Sequence, residues 1–314
     1  MSVTLSTGRR VAAVVLGTAV VLAGATAPAV AHPPGTGSGT LSVTAQRLVL
    51  EPTAQGYVGI LDVTVTNGTP TAAGFYSLTF LEPAGASDAR MVVEDACVPQ
   101  GVVGLRQVVN CGTGGVELAP GASSTHSVRF QVWTTPRDYP MVVGDSWIGV
   151  VPDGDQEPVH SVPFTTLFRS TKGQLSKPRP YVQATQTDVA LTAGAVTLDR
   201  LPDGSLQGRM PVTVRYGNDA PSSDLKVDAL LPAGVVVDHT EPEDVPGSWH
   251  AFIVPGGRFM PGEVRTFDVI LTAPAGTPAG VLGTASYTAG SRYQVSLTDV
   301  DPADDTTSFT VTAG

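Results

Sequence analysis

The sequence predicts an all-β protein built of two tandem β-sandwich domains that follow a cleaved signal peptide. Three observations predict this class: short segments that alternate apolar and polar residues, turn residues that separate these segments, and two stretches of the chain that share a series of motifs. Outside the leader, no stretch of about 12 residues shows the 3.6-residue period of an amphipathic helix. Short strands at this spacing are typical of a β-sandwich.

Residues 1–31 have the composition of a secretory signal peptide. Arg9 and Arg10 supply positive charge, residues 11–24 are apolar, and small residues precede position 32 as signal peptidase requires. The apolar run of 14 residues is too short to span ~30 Å of hydrocarbon comfortably. We therefore expect Sec-type export, a mature chain that begins at His32, no membrane insertion and no covalent anchor.

The balance of charges excludes one class of partner. The 314 residues include 28 Asp and Glu but only 18 Lys and Arg, which gives a formal net charge of −10. Proteins that bind nucleic acid or anionic membrane surfaces carry charge of the opposite sign, so neither is expected here.

Composition divides the mature chain into four segments. Residues 32–39 are predicted to be a flexible N-terminal segment, and two sandwiches are expected over 40–168 and 181–314. The segment between them, 169–180, holds four positively charged residues and no negatively charged one. We interpret it as a solvated basic linker; the alternative is a basic surface for an anionic wall polymer or glycan.

Alternation at period 2 assigns a buried and a wet face to each strand. Four segments show this alternation clearly, and the residues of their predicted inner faces are Tyr57, Gly59, Leu61, Val63 and Val65; Tyr76, Leu78 and Phe80; Val128, Phe130 and Val132; and Met210, Val212, Val214 and Tyr216. His126 is in phase with the third of these faces, which predicts a packed, hydrogen-bonded histidine in the core.

The two halves share motifs at a nearly constant spacing. Val-Thr-Val and Leu-x-Pro-Ala-Gly recur 149 residues further on, whereas Pro-Gly-x-x-x-Thr-x-x-Val recurs after 141 residues. The first half therefore contains eight extra residues between Gly85 and Pro120. Cys97 and Cys111, the two cysteines of the chain, fall in this window and are predicted to form a disulfide in an oxidising compartment.

These motifs resemble the conserved Ig-like repeat of large bacterial secreted and cell-surface proteins. Residues 181–314 are similar to the repeat throughout, including the closing Asp-x-Asp-Pro-Ala-Asp-Asp-Thr-x-Ser-Phe-Thr-Val, and the first half is similar more loosely. The resemblance implies immunoglobulin-like sandwiches that serve as adhesion or spacer modules. It implies no catalytic residue.

Two metal sites are candidates from residue type. A histidine at the start of the mature chain can bind copper through its amino group and its ring, which makes His32 the copper candidate. Calcium binds several carboxylate oxygens from one loop, and Asp299, Asp301, Asp304 and Asp305 could supply them. For both, the competing interpretation is an ordinary structural one: an incidental terminal histidine, or a solvated acidic turn.

Other residues were weighed for binding or crosslinking. Trp249 is either an exposed platform for a sugar or a core residue at one end of a sandwich, and we favour the core. Lys226 and Asn218 could form an isopeptide crosslink only if both lay buried beside a carboxylate. The histidines show no sequence relation to an activated serine, so no catalytic residue is predicted.

The sequence thus predicts a secreted, non-catalytic binding or structural module that acts at the bacterial cell surface or in the extracellular matrix. The expected partner is an extracellular protein or an envelope glycan, and no cofactor is expected apart from the calcium candidate. Two alternatives stay open: a copper-binding secreted protein that uses His32, and an accessory module of a secreted hydrolase.

Overall fold

The computed structural model describes residues 40–93, 97–115, 117–243, 245 and 247–314. The signal peptide, residues 32–39 and the copper candidate His32 lie outside the described residues. Every secondary-structure element assigned in the described part is a β-strand, which confirms the predicted all-β class. No helix of this part is long and apolar enough to cross a membrane.

Ten strands build the first sandwich. They are β1 (Leu41–Ala45), β2 (Leu48–Thr53), β3 (Gly56–Asn67), β4 (Tyr76–Leu81), β5 (Ser87–Met91), β6 (Cys97–Val103), β7 (Arg106–Gly112), β8 (Ser123–Val132), β9 (Met141–Pro152) and β10 (His160–Phe168). One layer contains β5, β8, β3 and β1, and the other contains β10, β9, β4, β7 and β6. A short strand, β11 (Arg179–Pro180), adds to β9.

The strand β2 belongs to both layers. Its first half, Leu48–Leu50, pairs in parallel with β10, and its second half, Glu51–Thr53, pairs antiparallel with β3. The sandwich is therefore closed by hydrogen bonds on this side. On the opposite side the path of paired strands ends at β5 in one layer and at β6 in the other.

The second sandwich follows the same plan. Its strands are β12 (Val189–Ala193), β13 (Val196–Arg200), β14 (Leu206–Tyr216), β15 (Asp224–Leu230), β16 (Val236–Glu241), β17 (Ala251–Ile253), β18 (Glu263–Ala273), β19 (Gly280–Arg292) and β20 (Thr306–Ala313). The pairing order β16-β18-β14-β13-β20-β19-β15-β17 corresponds, strand for strand, to β5-β8-β3-β2-β10-β9-β4-β7. Among the described residues, β6 is the strand of the first sandwich without a counterpart in this order.

Each sandwich encloses its own apolar core, and the predicted alternation is confirmed. Tyr57 and Phe168 pack edge to face at 5.0 Å in the first core, as Tyr287 and Phe309 do at 4.8 Å in the second. All the predicted inner-face residues apart from Gly59 are buried, because strands that pack as two layers must each direct one face inward.

The disulfide joins the added strand to the sandwich. Cys97 of β6 lies directly opposite Cys111 of β7, and the two are bonded, as the sequence predicts. Cys111 is buried in the first core, whereas most of β6 is exposed. The bond therefore attaches an edge strand that buries little surface of its own.

The two sandwiches meet end to end at a contact that we call the junction. The guanidinium of Arg258, in the β17–β18 loop, donates hydrogen bonds to the carbonyl oxygens of Ser87 (2.9 Å) and Ser222 (3.2 Å). It also lies 4.8 Å from the centre of the Trp133 ring. A charged, planar group that bridges both sandwiches restricts rotation of one against the other.

A carboxylate forms the second centre of the junction. Asp219, in the β14–β15 loop, accepts hydrogen bonds from Thr134 Oγ1 (2.8 Å), from the Tyr181 hydroxyl (2.8 Å) and from the Ala184 N–H (3.0 Å). Burial, and the negative charge of Asp219, raise the pKa of the Tyr181 hydroxyl well above its usual value, so that hydroxyl stays a donor. Three segments of the chain are thus held by one side chain.

Backbone packing at the junction is close enough to require glycine. A Cβ atom on Gly85 would overlap the carbonyl oxygen of Leu105 and the ring of Pro221, which belong to different sandwiches. The N–H of Gly85 donates to the side chain of Gln183 at 2.8 Å. Gly85 belongs to the repeated Leu-x-Pro-Ala-Gly motif. Besides forming a turn, it allows the close approach of the two sandwiches at the junction.

Glu82 is a buried acid beside this junction. It is 1% exposed and accepts a hydrogen bond from Ser87 Oγ at 3.1 Å. Burial raises its pKa to about 8; Arg258 and the Ser87 hydrogen bond act against this shift, and Asp88 adds to it. The negative charge of Glu82 in turn contributes to the raised pKa of Tyr293, whose hydroxyl donates to the Leu105 carbonyl.

Removal of the disulfide should destabilise the first sandwich. Closing a loop of ~15 residues is worth about 3 kcal/mol in the chain-entropy model, so Cys97→Ala with Cys111→Ala should lower the free energy of unfolding by about that amount. Urea unfolding measures it, with the reductant-treated wild type as a second reference. If reductant lowers the stability of the double variant as much as that of the wild type, the disulfide is not the cause.

The Glu82 carboxyl should make stability fall as pH rises. An acid whose pKa is raised on folding contributes stability that is fully present below its unfolded pKa, near 4.5, and is lost as pH rises to about 8. Glu82→Gln keeps a neutral group of the same shape, so it should become more stable than wild type, by on the order of a few kcal/mol, between pH 5 and pH 9. Urea unfolding across this range tests it, with Glu51→Gln on the exposed face of β2 as control. Parallel pH profiles for Glu82→Gln and wild type would refute the assignment.

Candidate functional site

The four aspartates considered for calcium lie in the β19–β20 loop but do not converge. Asp299 and Asp301 accept hydrogen bonds from backbone N–H groups, and Asp305 accepts one from the hydroxyl of the next residue. Burial, followed by the charges of Asp301 and Asp299, raises the pKa of Asp304. Within the described residues, no group of three or more His, Cys, Asp or Glu side chains is arranged to hold a metal, so geometry gives a calcium site here no support.

The preferred interpretation of Trp249 as a core residue is wrong. Its side chain is 73% exposed, at the turn where Ser248 and Ala251 exchange backbone hydrogen bonds. A turn that tight directs its central side chains away from the sandwich. Trp249 is thus an exposed aromatic residue at the open side of the second sandwich.

Residues 169–180 are mostly exposed, as the interpretation as a solvated linker expects, but they are attached to the first sandwich. Arg169 and Lys172 form ion pairs with Glu51 and Asp138, at 2.8 and 2.9 Å, and β11 within this segment pairs with β9. Two of its four positive charges are therefore matched by carboxylates of the first sandwich, which leaves the segment a weaker candidate for binding an anionic polymer.

The structure also tests the predictions for His126 and for a crosslink between Lys226 and Asn218. His126 is buried, and its Nε2 lies 2.7 Å from the Tyr76 hydroxyl, which confirms the predicted hydrogen-bonded core histidine. Lys226 pairs with Asp228, whereas Asn218 bonds to the backbone of Gln186, so the two are not arranged as a crosslink.

A cleft at the free end of the first sandwich is the best candidate for a binding site. It has a volume of about 430 Å³, within the ~300–1,000 Å³ range of small-molecule sites. The start of β1, the β3–β4 loop and the β9–β10 loop form its walls. We call it the tip cleft. Because β4 runs from the tip cleft to the junction, the two lie at opposite ends of this sandwich.

A buried asparagine shapes the β3–β4 loop. Asn67 is 0% exposed, and its side-chain amide donates to the carbonyl oxygens of Thr71 and Leu118, each at 2.8 Å. Its side-chain oxygen accepts the N–H of Thr69 at 2.9 Å. The Asn67 side chain thus supplies hydrogen bonds to loop backbone groups that are not paired as they would be in a strand. These bonds stabilise the conformation of the loop.

The loop presents Phe75 to solvent. The side chain is 61% exposed, although its backbone carbonyl is fixed by the N–H of Asp153 at 2.9 Å. A Cβ on Gly115 would lie 2.5 Å from Cε1 of Phe75, so the ring lies against glycine backbone where another residue would displace it. The aromatic ring is held in position and is open to a ligand.

The rest of the tip cleft is largely apolar and carries little charge; its other apolar lining residues are Leu41, Ala72, Ala73, Pro152 and Val159. Thr69 and Thr71 supply hydroxyl groups, and Asp153 supplies a carboxylate. Sequence reasoning missed all of these residues. The available signal was Phe75 itself, an aromatic residue directly before Tyr76 and out of phase with the predicted inner face of β4.

A second cleft, of about 440 Å³, lies on the second sandwich. Lys226 and Arg292 contribute its charges, but each lies beside a carboxylate, Asp228 and Asp224, respectively. Charges that are already neutralised by neighbours attract a ligand less than open ones do. The tip cleft is therefore the stronger candidate.

Comparison with known proteins gives likenesses in structure alone. No protein-family model and no curated protein matches the chain. Among solved structures, the CupB6 tip adhesin from Pseudomonas aeruginosa is 10% identical with a TM-score of 0.29, covering 88% of this chain and 99% of that one. CfaE, the adhesive subunit of the CFA/I fimbria of enterotoxigenic Escherichia coli, is 11% identical with a TM-score of 0.27, covering 81% and 78%.

Red sea bream transglutaminase is also similar, at 12% identity and a TM-score of 0.23. The match covers 88% of this chain but 31% of that enzyme. Two of these neighbours are bacterial adhesins and one is an enzyme. At such identities and TM-scores, none of them carries an argument about what this chain does.

Asn67 should contribute more to stability than asparagines nearer the surface. Asn67→Ala removes two hydrogen bonds that its amide donates and the one that its oxygen accepts from the Thr69 N–H, and we expect a loss of about 2–4 kcal/mol in the free energy of unfolding. Asn218→Ala, which removes two loop hydrogen bonds at a half-buried position, is the matched control and should cost less, about 1 kcal/mol. Urea unfolding at pH 7 compares them; equal losses would show that Asn67 does not organise the loop.

Proposed function

We propose that this chain is an exported, non-catalytic binding protein of the bacterial cell surface, in which two copies of one immunoglobulin-like unit form a single body. The leader and the shared motifs support export and duplication, and the matching strand orders agree with duplication. Binding takes place at the tip cleft, and the expected partner is an envelope glycan or an extracellular protein.

The observation that carries this proposal is the exposed, positioned Phe75 at the free end of the first sandwich. Exposing an aromatic ring costs free energy that a turn of polar residues would avoid, so a ring held in a well-ordered open cleft favours a binding role. Because the junction joins the two sandwiches through Arg258 and Asp219, a contact at the tip is made by the whole body rather than by a loosely tethered domain.

Histidines in the described part have structural rather than catalytic surroundings. His126 bonds to Tyr76 in the core, and His160 Nδ1 accepts the backbone N–H of Val43 at 3.1 Å. The hydrogen bond to Asp238, with a further one to Glu241, raises the pKa of His239 on the surface. These contacts support a non-catalytic assignment.

Cosedimentation of the mature chain with purified bacterial cell walls and with intact cells tests the proposal. We expect saturable retention of the wild type that falls at least tenfold for Phe75→Ala. Trp249→Ala, which removes an equally exposed aromatic residue on the other sandwich, is the control and should bind as wild type does. Failure of the wild type to be retained on walls or cells would refute the surface-binding role, and retention that is unchanged in Phe75→Ala would refute the site.

A further inference from the structure

We infer that the tip cleft binds a neutral saccharide, with one sugar ring stacked on Phe75. This inference rests on the proposed function and names the class of ligand. It follows from three features of the described residues: an exposed aromatic ring, the hydroxyl groups beside it, and the absence from the lining of any positively charged side chain.

The ring supplies the contact that a sugar requires. One face of a pyranose consists largely of C–H groups, which are attracted to the negative face of an aromatic ring. The Phe75 ring lies against Gly115 and loses little freedom when a ligand covers it. Stacking therefore costs less side-chain entropy than it would on a mobile residue.

The polar groups of the cleft match the edge of a sugar. Thr69 Oγ1 lies 2.6 Å from the Thr71 carbonyl oxygen and 2.7 Å from Asn67 Oδ1, so its single proton is used within the loop and its oxygen serves a ligand hydroxyl only as an acceptor. Asp153 provides further acceptor oxygens. Sugar hydroxyl groups donate and accept hydrogen bonds, so threonines and a carboxylate around an apolar ring suit them.

Charge excludes an anionic ligand. Asp153 is the charged residue in the lining, and the chain as a whole carries a formal net charge of −10. An acidic polysaccharide or a phosphate polymer would be repelled by both. A cationic side chain could pair with Asp153, but phenylalanine is a weaker partner for a cation than tryptophan, and the threonine hydroxyls would gain nothing from it.

The junction shows what the same end of a sandwich looks like when it binds protein. In the second sandwich, the corresponding β14–β15 and β17–β18 loops supply Asp219 and Arg258, which make charged contacts with the first sandwich. The position of Phe75 corresponds to Asp224 at the shared spacing of 149 residues. The tip cleft thus lacks the groups that hold protein at the junction and has an aromatic ring instead, so a second copy of this chain is not the occupant.

The test measures binding of defined oligosaccharides to the mature chain by saturation-transfer difference NMR and calorimetry. Cellohexaose, maltohexaose and mannohexaose are the neutral probes, hexagalacturonate is the anionic probe and hexalysine the cationic one. We expect at least one neutral oligosaccharide to bind, with transfer to its C–H protons, and hexagalacturonate to bind at least tenfold more weakly.

Substitutions at Phe75 separate stacking from simple apolar contact. Phe75→Tyr and Phe75→Trp keep a ring and should retain binding, whereas Phe75→Leu, which keeps apolar area but no ring, should lose at least tenfold, or about 1.4 kcal/mol. Trp249→Leu is the matched control and should bind as wild type does. Urea unfolding verifies that each variant is as stable as the wild type, as expected for an exposed position.

Each outcome decides the inference. Binding of hexalysine alone, binding by Phe75→Leu equal to wild type, or no binding of any neutral probe would overturn it. If cell walls still retain the wild type in a Phe75-dependent manner while no neutral probe binds or competes, the saccharide inference fails but the proposed surface-binding function stands. If neither walls nor cells retain the chain, the proposed function fails as well.

Discussion

The structure depends on one strand in each sandwich that pairs with both layers. Leu48–Leu50 of β2 join β10, and Glu51–Thr53 join β3; β13 connects β20 and β14 in the same way. One side of each sandwich is closed by these hydrogen bonds, so the opposite side is where the fold can accept extra chain. The added strand β6 lies on that open side, where it extends a layer without entering the core, and the disulfide compensates for the little surface that it buries.

The two-layer arrangement of the strands also places the loops in two groups, one at each end of a sandwich. Because strands of adjacent layers run between the two ends of a sandwich, the connections collect at those ends. One end of the first sandwich, with Gly85 and Leu105, receives the loops of the second sandwich that contain Asp219 and Arg258. Units stacked in this way use one end of each for contact, so no described part of the second sandwich covers the other end of the first. The tip cleft lies at the end of the first sandwich away from the junction because the two sandwiches are arranged head to tail.

Sequence reasoning succeeded where a property depends on near neighbours along the chain. The inner faces of β3, β4, β8 and β14 and the Cys97–Cys111 pair follow from alternation, spacing and compartment. It was incomplete where distant residues decide: the ion pairs of residues 169–180 need carboxylates from elsewhere in the sequence, and no local pattern predicts the burial of Glu82. The prediction for Trp249 was wrong for another reason. Tryptophan generally prefers the interior, but here a tight turn exposes its side chain. Phe75 was within reach of the sequence, because it is out of phase with the predicted inner face of β4.

Two loops at matching positions in the strand orders can differ because the fold constrains only their ends. In the second sandwich the loop after β14 is covered, and Asp219 in it accepts hydrogen bonds from Gln183, Tyr181 and Thr134. In the first sandwich the loop after β3 is uncovered, and its shape is maintained from within by Asn67. A loop that is stabilised by its own buried asparagine does not need a protein neighbour to hold it. Its outward residues are not needed for a protein contact, so an exposed aromatic ring can occur at this end of the first sandwich, whereas a charged, hydrogen-bonded contact occurs at the junction.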